Sequence, residues 1–457
     1  MSIKHCLYLS SRSIRFATIV AAIVAALSIP GVGMKAMGSE GDEPLAEQPF
    51  AGIEDLVNKV NVQDLVELKD GRLLLVMGPE ALGAYSEDDG KTWGKPFELK
   101  DEAGKPLKPG LGGIVVMKSG ALGFYQSVGS FTYSWWRSED NGKTWSQGFP
   151  INPVQGKPVS FYGIPRPFTE AVQNEVQIRD QDQAVVLSSG RIVIPCYMAL
   201  SGPRSPDYPK YPLGMDCEET LLYSLILLSD DEGKTWQRSH SMVFIILPGR
   251  YGSDEEYYST ERGKGGFWEF EEPTLVELKD GRLMMFGRSV LGRTFASYSE
   301  DQGLNWDAPV PMPIASPNAP STLTRLSNGS LLLIWSQTSP EENIQGYSRH
   351  RLSTAISQDE GKTWTDHKNL ESLDDVVFIE PPALETLHGV YGPHYNYPTD
   401  TTRYHGIGTG ALRIGYPHAR VLKDTVIVDY NYGYPGDAIG KITIKQRVLP
   451  LSWFTTH

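Results

Sequence analysis

The sequence predicts an all-β protein, a six-bladed β-propeller built from four-stranded antiparallel sheets. Three observations support this fold class. An octapeptide occurs five times, a second repeat of a glycine-containing turn followed by an apolar run accompanies it, and the sequence shows no long stretch of helical periodicity. Sheets of this size bury little on their own, so six in one chain are expected to stack radially around an axis. The predicted blades begin near residues 51, 112, 175, 270, 318 and 410.

The octapeptide follows the pattern Ser-x-Asp-x-Gly-x-Thr/Asn-Trp. Its copies occupy residues 86–93, 138–145, 229–236, 299–306 and 357–364. In a hairpin turn, the aspartate can accept backbone N–H groups, the glycine supplies a positive φ, and the tryptophan packs beneath as an anchor. The pattern therefore predicts five structural hairpins, here called Asp boxes.

A polar-glycine corner followed by a β-rich run precedes each Asp box. The corners contain Gly71, Gly120, Gly190, Gly281 and Gly329. A sixth run, at 423–430, has neither the glycine nor an Asp box after it. Each combination of a glycine corner and an Asp box is therefore predicted to form a strand, a hairpin at the glycine, a second strand and then the Asp-box hairpin. The uneven spacing of the boxes predicts insertions near 146–175, 200–220, 237–268 and 365–410.

Charge and the N-terminal segment limit the partners and the location. The chain has 457 residues and a formal charge of −13, which disfavours binding to nucleic acids or anionic membranes. Lys4, Arg12 and Arg15 precede an apolar run at 16–29 that is too short to span a bilayer. We therefore predict a signal peptide at 1–38, with a short membrane anchor as the alternative. We therefore expect a single propeller domain at 39–457. We expect this mature chain to be secreted or periplasmic and to have no membrane span.

Cysteine and histidine spacing gives little further information. Cys196 and Cys217 are expected to form one disulfide or to remain two buried thiols, and the sequence leaves both open. No metal-ligand spacing is present, so we predict neither a metal nor a cofactor.

Five Asp boxes on a six-blade pattern resemble the sialidase (neuraminidase) superfamily, also described as BNR-repeat proteins, from about residue 51 to the end. The Asp box indicates architecture and not chemistry. The resemblance implies a tyrosine nucleophile activated by a glutamate, three arginines that hold a substrate carboxylate, and an aspartate acid/base. A neutral tyrosine suits a sugar whose own carboxylate would repel an anionic nucleophile, and arginine binds carboxylates bidentately.

Four positions match the family's site residues. The segment 270–288 resembles the one that carries the activating glutamate and the second arginine, so the resemblance implies these roles for Glu272 and Arg288. Arg349 has the family's spacing for the third arginine, eight residues before an Asp box, with Arg351 as its competitor. Tyr416, in 415–430, looks like the family's nucleophile, although Pro417 and His418 replace the usual residues after it.

Two of the family's positions are not filled. Asn61 stands where the first arginine is expected, and the loop before the first Asp box contains Glu80 and no aspartate. We predict Asp182, at the entrance of blade 3, as the replacement acid, because desolvation can raise a carboxyl pKa. Further candidates for an acid or base are Asp64, His394, His405 and His418.

Three functions remain open from the sequence. The first is an exo-acting glycoside hydrolase that releases a terminal acidic sugar, sialic acid or similar, from a glycan. The second is a hydrolase or a lyase that acts on a uronate-containing polysaccharide. The third is a non-catalytic carbohydrate-binding propeller in which Trp135, Trp136 and Trp268 would be stacking platforms.

Overall fold

A computed structural model describes residues 61–78, 81–107, 112–129, 132–151, 184–201, 220–247, 266–384, 387, 389–390, 413–433 and 443–455. The predicted signal peptide lies outside these residues and stays a prediction. Within the described part of the chain, no helix is long and apolar enough to cross a membrane. Cys196 is buried, and its Sγ lies 3.3 Å from the carbonyl oxygen of Leu225. Cys217 is not among the described residues, so the disulfide also stays a prediction.

The six-bladed β-propeller is confirmed. In every blade the strands pair antiparallel in sequence order, and the first strands of most neighbouring blades contact one another around the axis. Blade 1 contains β1 (Asn61–Glu67), β2 (Leu73–Gly78), β3 (Leu82–Ser86) and β4 (Phe97–Glu98). Two short strands, β5 (Lys100–Asp101) and β9 (Thr144–Trp145), pair in parallel between blades 1 and 2.

Blades 2 to 4 repeat the plan. Blade 2 contains β6 (Ile114–Val116), β7 (Leu122–Gly129), β8 (Thr132–Ser138) and β10 (Phe149–Pro150). Blade 3 contains β11 (Val185–Val186), β12 (Ile192–Ser201), β13 (Thr220–Ser229) and β14 (Gln237–Arg238). The insertion predicted near 237–268 contributes a separate pair, β15 (Ile245–Leu247) and β16 (Gly266–Trp268). Blade 4 contains β17 (Glu271–Glu277), β18 (Leu283–Arg288), β19 (Arg293–Ser299) and β20 (Val310–Ala315).

Blade 5 contains the only connection among the described residues that forms a helix between two strands. Its strands are β21 (Ser321–Arg325), β22 (Leu331–Ser336), β23 (Arg351–Ser357) and β24 (Thr365–Ser372), with α1 (Pro340–Ile344) between β22 and β23. Ser339 and Glu342 form a capping box that begins α1. Blade 6 has three described strands, β25 (Arg413–Val421), β26 (Thr425–Gly433) and β27 (Thr443–Pro450), followed by α2 (Leu451–Thr455).

The hydrophobic core is divided into six clusters, and each cluster joins two neighbouring blades. The alternation of side chains along a strand explains this, because each sheet presents one apolar face to either neighbour. The last cluster closes the ring, since Ile427 of blade 6 packs with Leu65, Leu73 and Leu75 of blade 1. Each such buried side chain contributes roughly 1.5–3 kcal/mol.

The Asp boxes have the predicted geometry. In the first box, Asp88 accepts hydrogen bonds from the backbone N–H of Thr92 at 2.8 Å and from the Thr92 hydroxyl at 2.7 Å. These bonds hold the pKa of Asp88 at about 2. Gly90 has a φ of 81°. The box tryptophans pack between their own blade and the preceding one, at Trp93, Trp145, Trp236, Trp306 and Trp364.

A buried charge cluster also joins blade 6 to the inner strand of blade 1. The Arg420 guanidinium lies 3.4 Å from Asp64 and pairs with Asp429. Although burial opposes ionisation, Arg420 holds the pKa of Asp429 at about 2. The Asp64 carboxylate also accepts the backbone N–H groups of Leu65 and Ile114, each at 2.8 Å, which links blade 1 to blade 2.

Candidate active site

Glu272, Arg288, Arg349 and Tyr416 converge at one end of the propeller. Glu272 lies at the start of a first strand, Arg288 ends a second strand, Arg349 shortly precedes a third strand, and Tyr416 lies near the start of a first strand. In an antiparallel blade these four places share one end. Each Asp box follows the end of a third strand and therefore lies at the opposite end. The site is thus separated from the structural repeats by the length of the strands.

Tyr416 and Glu272 are in direct contact across two blades. The Tyr416 hydroxyl donates a hydrogen bond to Oε1 of Glu272 at 2.9 Å. This distance lies within the range that proton transfer between a nucleophile and its base requires. The two residues are separated by 144 positions in the sequence and by the whole of blade 5 in the ring.

Glu272 and Tyr416 both lie in β-bulges. The pairing register shifts between Glu271 and Thr274 in β17, and between Gly415 and His418 in β25. Within these bulges, Glu272 has a φ of 44° and Tyr416 a φ of 54°. A left-handed conformation at a residue other than glycine costs about 1–3 kcal/mol and is frequent at active sites. In both bulges a proline follows, which restricts the backbone of the residue before it.

Arg288 is buried between two carboxylates and the tyrosine. Its Nη1 donates to Oε2 of Glu272 at 2.5 Å and lies 3.5 Å from the Tyr416 hydroxyl, and its Nε lies 3.3 Å from Oε1 of Glu271. Burial opposes the charge, but Glu271 and Glu272 outweigh it and hold the pKa of Arg288 well above its usual value. Arg288 is therefore a permanent cation beside the phenol.

Asn318 connects the two arginines, and nothing in the sequence pattern singled it out. Its side-chain Oδ1 accepts a hydrogen bond from Nε of Arg288 at 2.5 Å, and its backbone carbonyl accepts one from Nη2 of Arg349 at 3.0 Å. The Arg349 guanidinium also lies 5.3 Å from the centre of the Tyr416 ring. This geometry fixes both cations on one side of the nucleophile.

Arg351, the competitor of Arg349, points elsewhere. It is fully buried, and its guanidinium pairs with Glu342 at 3.4 Å and with Asp374 at 2.5 Å. Glu342, His350 and Asp374 are the described side chains that bring three metal-ligand atoms together, within 4.8 Å of one another. Because the guanidinium already supplies the cation between the two carboxylates, this group has no need of a metal ion.

Three further polar residues at this end were missed by the sequence reasoning. Glu271 pairs with Arg288, as described. Tyr197, in the middle of β12, is half-buried, and its pKa is raised well above the usual value by burial first and then by the charges of Glu272 and Glu271. Burial also raises the pKa of Glu269, against the charge of Arg288. The acidic run Glu269-Phe-Glu-Glu272 at a blade entrance was a signal that could have located two of them.

The remaining candidates either lie outside the described residues or belong to the charge cluster of Arg420. Asp182, Glu80, His394 and His405 lie outside the described residues, so the role predicted for Asp182 stays a prediction. Asp64 is committed to Arg420 and to two backbone N–H groups, which explains it as a structural residue. His418 is buried with its Nδ1 3.7 Å from Asp429 in the same cluster.

The tryptophans suggested as stacking platforms are not exposed for that purpose. Trp135 is fully buried between blades 2 and 3, and Trp136 is buried between blades 1 and 2. That suggestion is wrong for both residues, because alternate residues of β8 face the two neighbouring blades instead of solvent. Trp268 is partly buried against the cluster between blades 3 and 4.

Comparisons with known proteins give a family model, a curated relative and several similar solved structures. A family model described as a BNR repeat-like domain matches residues 114–435. A sialidase of Trypanosoma cruzi is 23% identical over 174 residues, a match that covers 35% of this chain and only 13% of that protein. Among solved structures, a Dyadobacter fermentans protein of unknown function is similar at 17% identity and a TM-score of 0.48, covering 86% of this chain and 94% of that one.

Two solved sialidases are also similar. One, from Trypanosoma rangeli in complex with 2,3-difluorosialic acid as a covalent intermediate, has 14% identity and a TM-score of 0.45, covering 87% of this chain and 55% of its own. The other, from Streptococcus pneumoniae, has 13% identity and a TM-score of 0.47, covering 92% of this chain and 70% of its own. The family model spans well over half of the sequence, and the chain therefore belongs to the family of BNR repeat-like proteins.

Proposed function

We propose that this protein is an exo-acting glycoside hydrolase that releases a terminal acidic sugar, such as a sialic acid, from a glycan. The observation that carries the proposal is the 2.9 Å hydrogen bond from Tyr416 to Glu272 beside two arginines. A tyrosine, a carboxylate and cations in this arrangement suit one reaction class, nucleophilic attack on an anomeric carbon that carries a carboxylate.

The proposal gives a step to each residue. As the Tyr416 oxygen forms a bond to the anomeric carbon, its proton passes to Glu272, and the glycosidic bond breaks with its electron pair on the leaving oxygen. Arg288, 3.5 Å from the phenol oxygen, stabilises negative charge that develops there. Water then attacks the anomeric carbon, and Tyr416 leaves with the proton that Glu272 returns. The proposal predicts retention of the anomeric configuration, because two displacements occur at one carbon.

The two arginines support an acidic sugar. Arg349 and Arg288 lie on one side of Tyr416, and Asn318 fixes both of them. A carboxylate attached to the carbon that Tyr416 attacks would lie within reach of that side. Asn61 stands at the place of the family's first arginine, so the clamp consists of two arginines instead of three and is expected to tolerate acidic sugars other than sialic acid.

The test is a panel of 4-nitrophenyl glycosides of N-acetylneuraminic, glucuronic and galacturonic acid, with identification of the released products. We expect turnover of at least one, with kcat lowered by about 10²-fold or more in Tyr416→Phe and in Glu272→Gln. Tyr298→Phe is the matched control, because Tyr298 adjoins an Asp box at the opposite end. A 2,3-difluoro derivative of the accepted sugar is expected to form a covalent adduct on Tyr416.

Three results would contradict the proposal in different ways. Unsaturated sugar products that absorb in the ultraviolet would indicate a lyase. Binding of glycans without turnover of any substrate would indicate a carbohydrate-binding propeller. An adduct on a residue other than Tyr416 would leave a hydrolase but remove the assigned nucleophile.

A further inference from the structure

One role in the proposed reaction, that of the general acid, has no residue yet among those that the structure describes. The leaving oxygen needs a proton, and the loop at 78–85 that matches the family's acid position contains no aspartate. Glu271 and Glu272 both pair with Arg288 at distances of 3.3 and 2.5 Å, so neither is a ready proton donor. Asp64 is ionically paired with Arg420 elsewhere. A donor must come from another carboxyl group near the site.

Glu269 is rigidly placed three residues before Glu272. It lies between β16 and β17, where the chain passes from the edge of blade 3 to the inner strand of blade 4. The next residue, Phe270, donates its backbone N–H to the carbonyl of Leu222 at 3.1 Å and is fully buried between the two blades. Its ring lies against Gly287, where a Cβ would come within 2.5 Å of it. Glu269 is thus anchored to the strand that ends in Arg288.

The Glu269 carboxyl differs from its two neighbours in its contacts. Its side chain keeps some exposure, while Oε2 is buried and has no hydrogen-bond partner among the described residues. A buried carboxylate oxygen without a partner is costly, and protonation reduces this cost. A neutral carboxylic acid with one accessible edge is what a general acid requires.

We propose that Glu269 is the general acid of this site and takes the role that the family assigns to an aspartate of blade 1. The proposal rests on the proposed function. Protonated Glu269 gives its proton to the glycosidic oxygen while that oxygen takes the electron pair of the breaking bond. In the second step the Glu269 carboxylate accepts a proton from the water that attacks the anomeric carbon, which restores the acid.

The charges around Glu269 are consistent with this cycle. Burial raises its pKa, and Arg288 on β18 partly offsets that effect. Glu271 and Glu272 on β17 neutralise much of the arginine charge, and the half-buried hydroxyl of Tyr197 on β12 adds no charge. The acid form is present below the pKa and is lost above it, so Glu269 is expected to produce the basic limb of the kcat/KM profile.

Leaving-group dependence tests the proposal sharply. A 4-nitrophenolate leaves without a proton, whereas a methoxide does not. For Glu269→Gln we expect kcat/KM on a methyl glycoside of the accepted sugar to fall by about 10²- to 10⁴-fold, and on the 4-nitrophenyl glycoside by less than about tenfold. The basic limb is expected to disappear on the activated substrate. Glu300→Gln, an exposed change in an Asp box, is the matched control.

Equal losses on both substrates, or no loss on the methyl glycoside, would overturn the assignment of Glu269. The same result would follow if Asp182→Asn, and not Glu269→Gln, showed the leaving-group effect. Failure of the proposed function is distinguishable, because the wild type would then turn over neither glycoside and form no adduct on Tyr416.

Discussion

The contact between Tyr416 and Glu272 leads to a quantitative prediction for Glu272→Gln. The glutamine keeps the shape of the side chain and can still accept the phenol hydrogen bond, which measures 2.9 Å, but it cannot take the proton. Losing a general base lowers kcat by about 10²- to 10⁴-fold. At about 1.36 kcal/mol for each factor of ten, the barrier rises by about 2.7–5.4 kcal/mol.

A double-mutant cycle separates a shared role from two independent ones. Tyr416→Phe removes the nucleophile, so a base that acts only on this tyrosine has nothing left to do. Glu272→Gln added to Tyr416→Phe is therefore expected to cost little more than Tyr416→Phe alone. The coupling energy would then be close to the whole effect of the single glutamine substitution.

The assay is kcat on the best 4-nitrophenyl glycoside for the wild type, the two single variants and the double variant. Thermal unfolding serves as the control for folding, since Arg288 keeps Glu271 as a partner at 3.3 Å when Glu272 is neutral. Additive effects of the two substitutions, or a Glu272→Gln enzyme within about threefold of the wild type, would refute the pairing of nucleophile and base.

Two further predictions concern the surroundings of the site. Arg420→Leu leaves Asp64 and Asp429 buried without their cation and is expected to lower the free energy of unfolding by about 3–5 kcal/mol in urea titrations. The ion pair of Asp429 stabilises the fold fully above the pKa of the carboxyl in the unfolded chain, which is near 3.8, and this stabilisation is lost as the pH falls towards 2. The loss of stability in Arg420→Leu relative to the wild type should therefore become smaller as the pH falls below about 4. A loss that does not depend on pH would contradict this. Thr322→Val removes the 2.5 Å hydrogen bond to the Pro417 carbonyl and is expected to cost about 1–3 kcal/mol in thermal unfolding, whereas Thr322→Ser keeps most of it; equal losses in both variants would argue against the bond.

The fold was predictable because its signals are local. An Asp box carries its own turn chemistry: in the first box, Asp88 binds groups four residues away and Gly90 supplies the positive φ. These interactions form in the same way in every copy, so the five copies mark five of the six blades, and the sixth was predicted from the β-rich run at 423–430 alone. Where a predicted blade start falls among the described residues, the first strand begins within three positions of it, at Ile114, Glu271 and Ser321; the start predicted near residue 51 lies outside them and stays a prediction. The inner strands have no comparable local motif.

The site was predictable only where the resemblance supplied residues. Glu272 and Tyr416 are 144 positions apart, and no spacing rule brings them together. Asn318 could not be predicted from the sequence, because one of its two contacts is made by its backbone carbonyl, a group that every residue has. Asp64 was a wrong candidate for a similar reason. The sequence indicated its position in an inner strand, but it did not indicate that its partner would be Arg420 on the last blade.

Blade 5 explains why the nucleophile and the base can meet although they belong to blades 4 and 6. Its inner strand β21 lies between β17 and β25 and binds both of them directly after their bulges. The backbone N–H of Leu323 donates to the Thr274 hydroxyl at 3.1 Å, and the Thr322 hydroxyl donates to the Pro417 carbonyl.

Each bulge costs free energy twice, through a left-handed residue and through ladder bonds that are not made. The contacts from β21 hold both bulges: one satisfies the backbone carbonyl of Pro417, and the other binds the side-chain hydroxyl of Thr274. One strand therefore supports both strained turns at once, and the distance between Tyr416 and Glu272 is set by the width of a single blade instead of by a flexible loop. This is the preorganisation that a nucleophile and its base require, because their separation is fixed before any substrate binds.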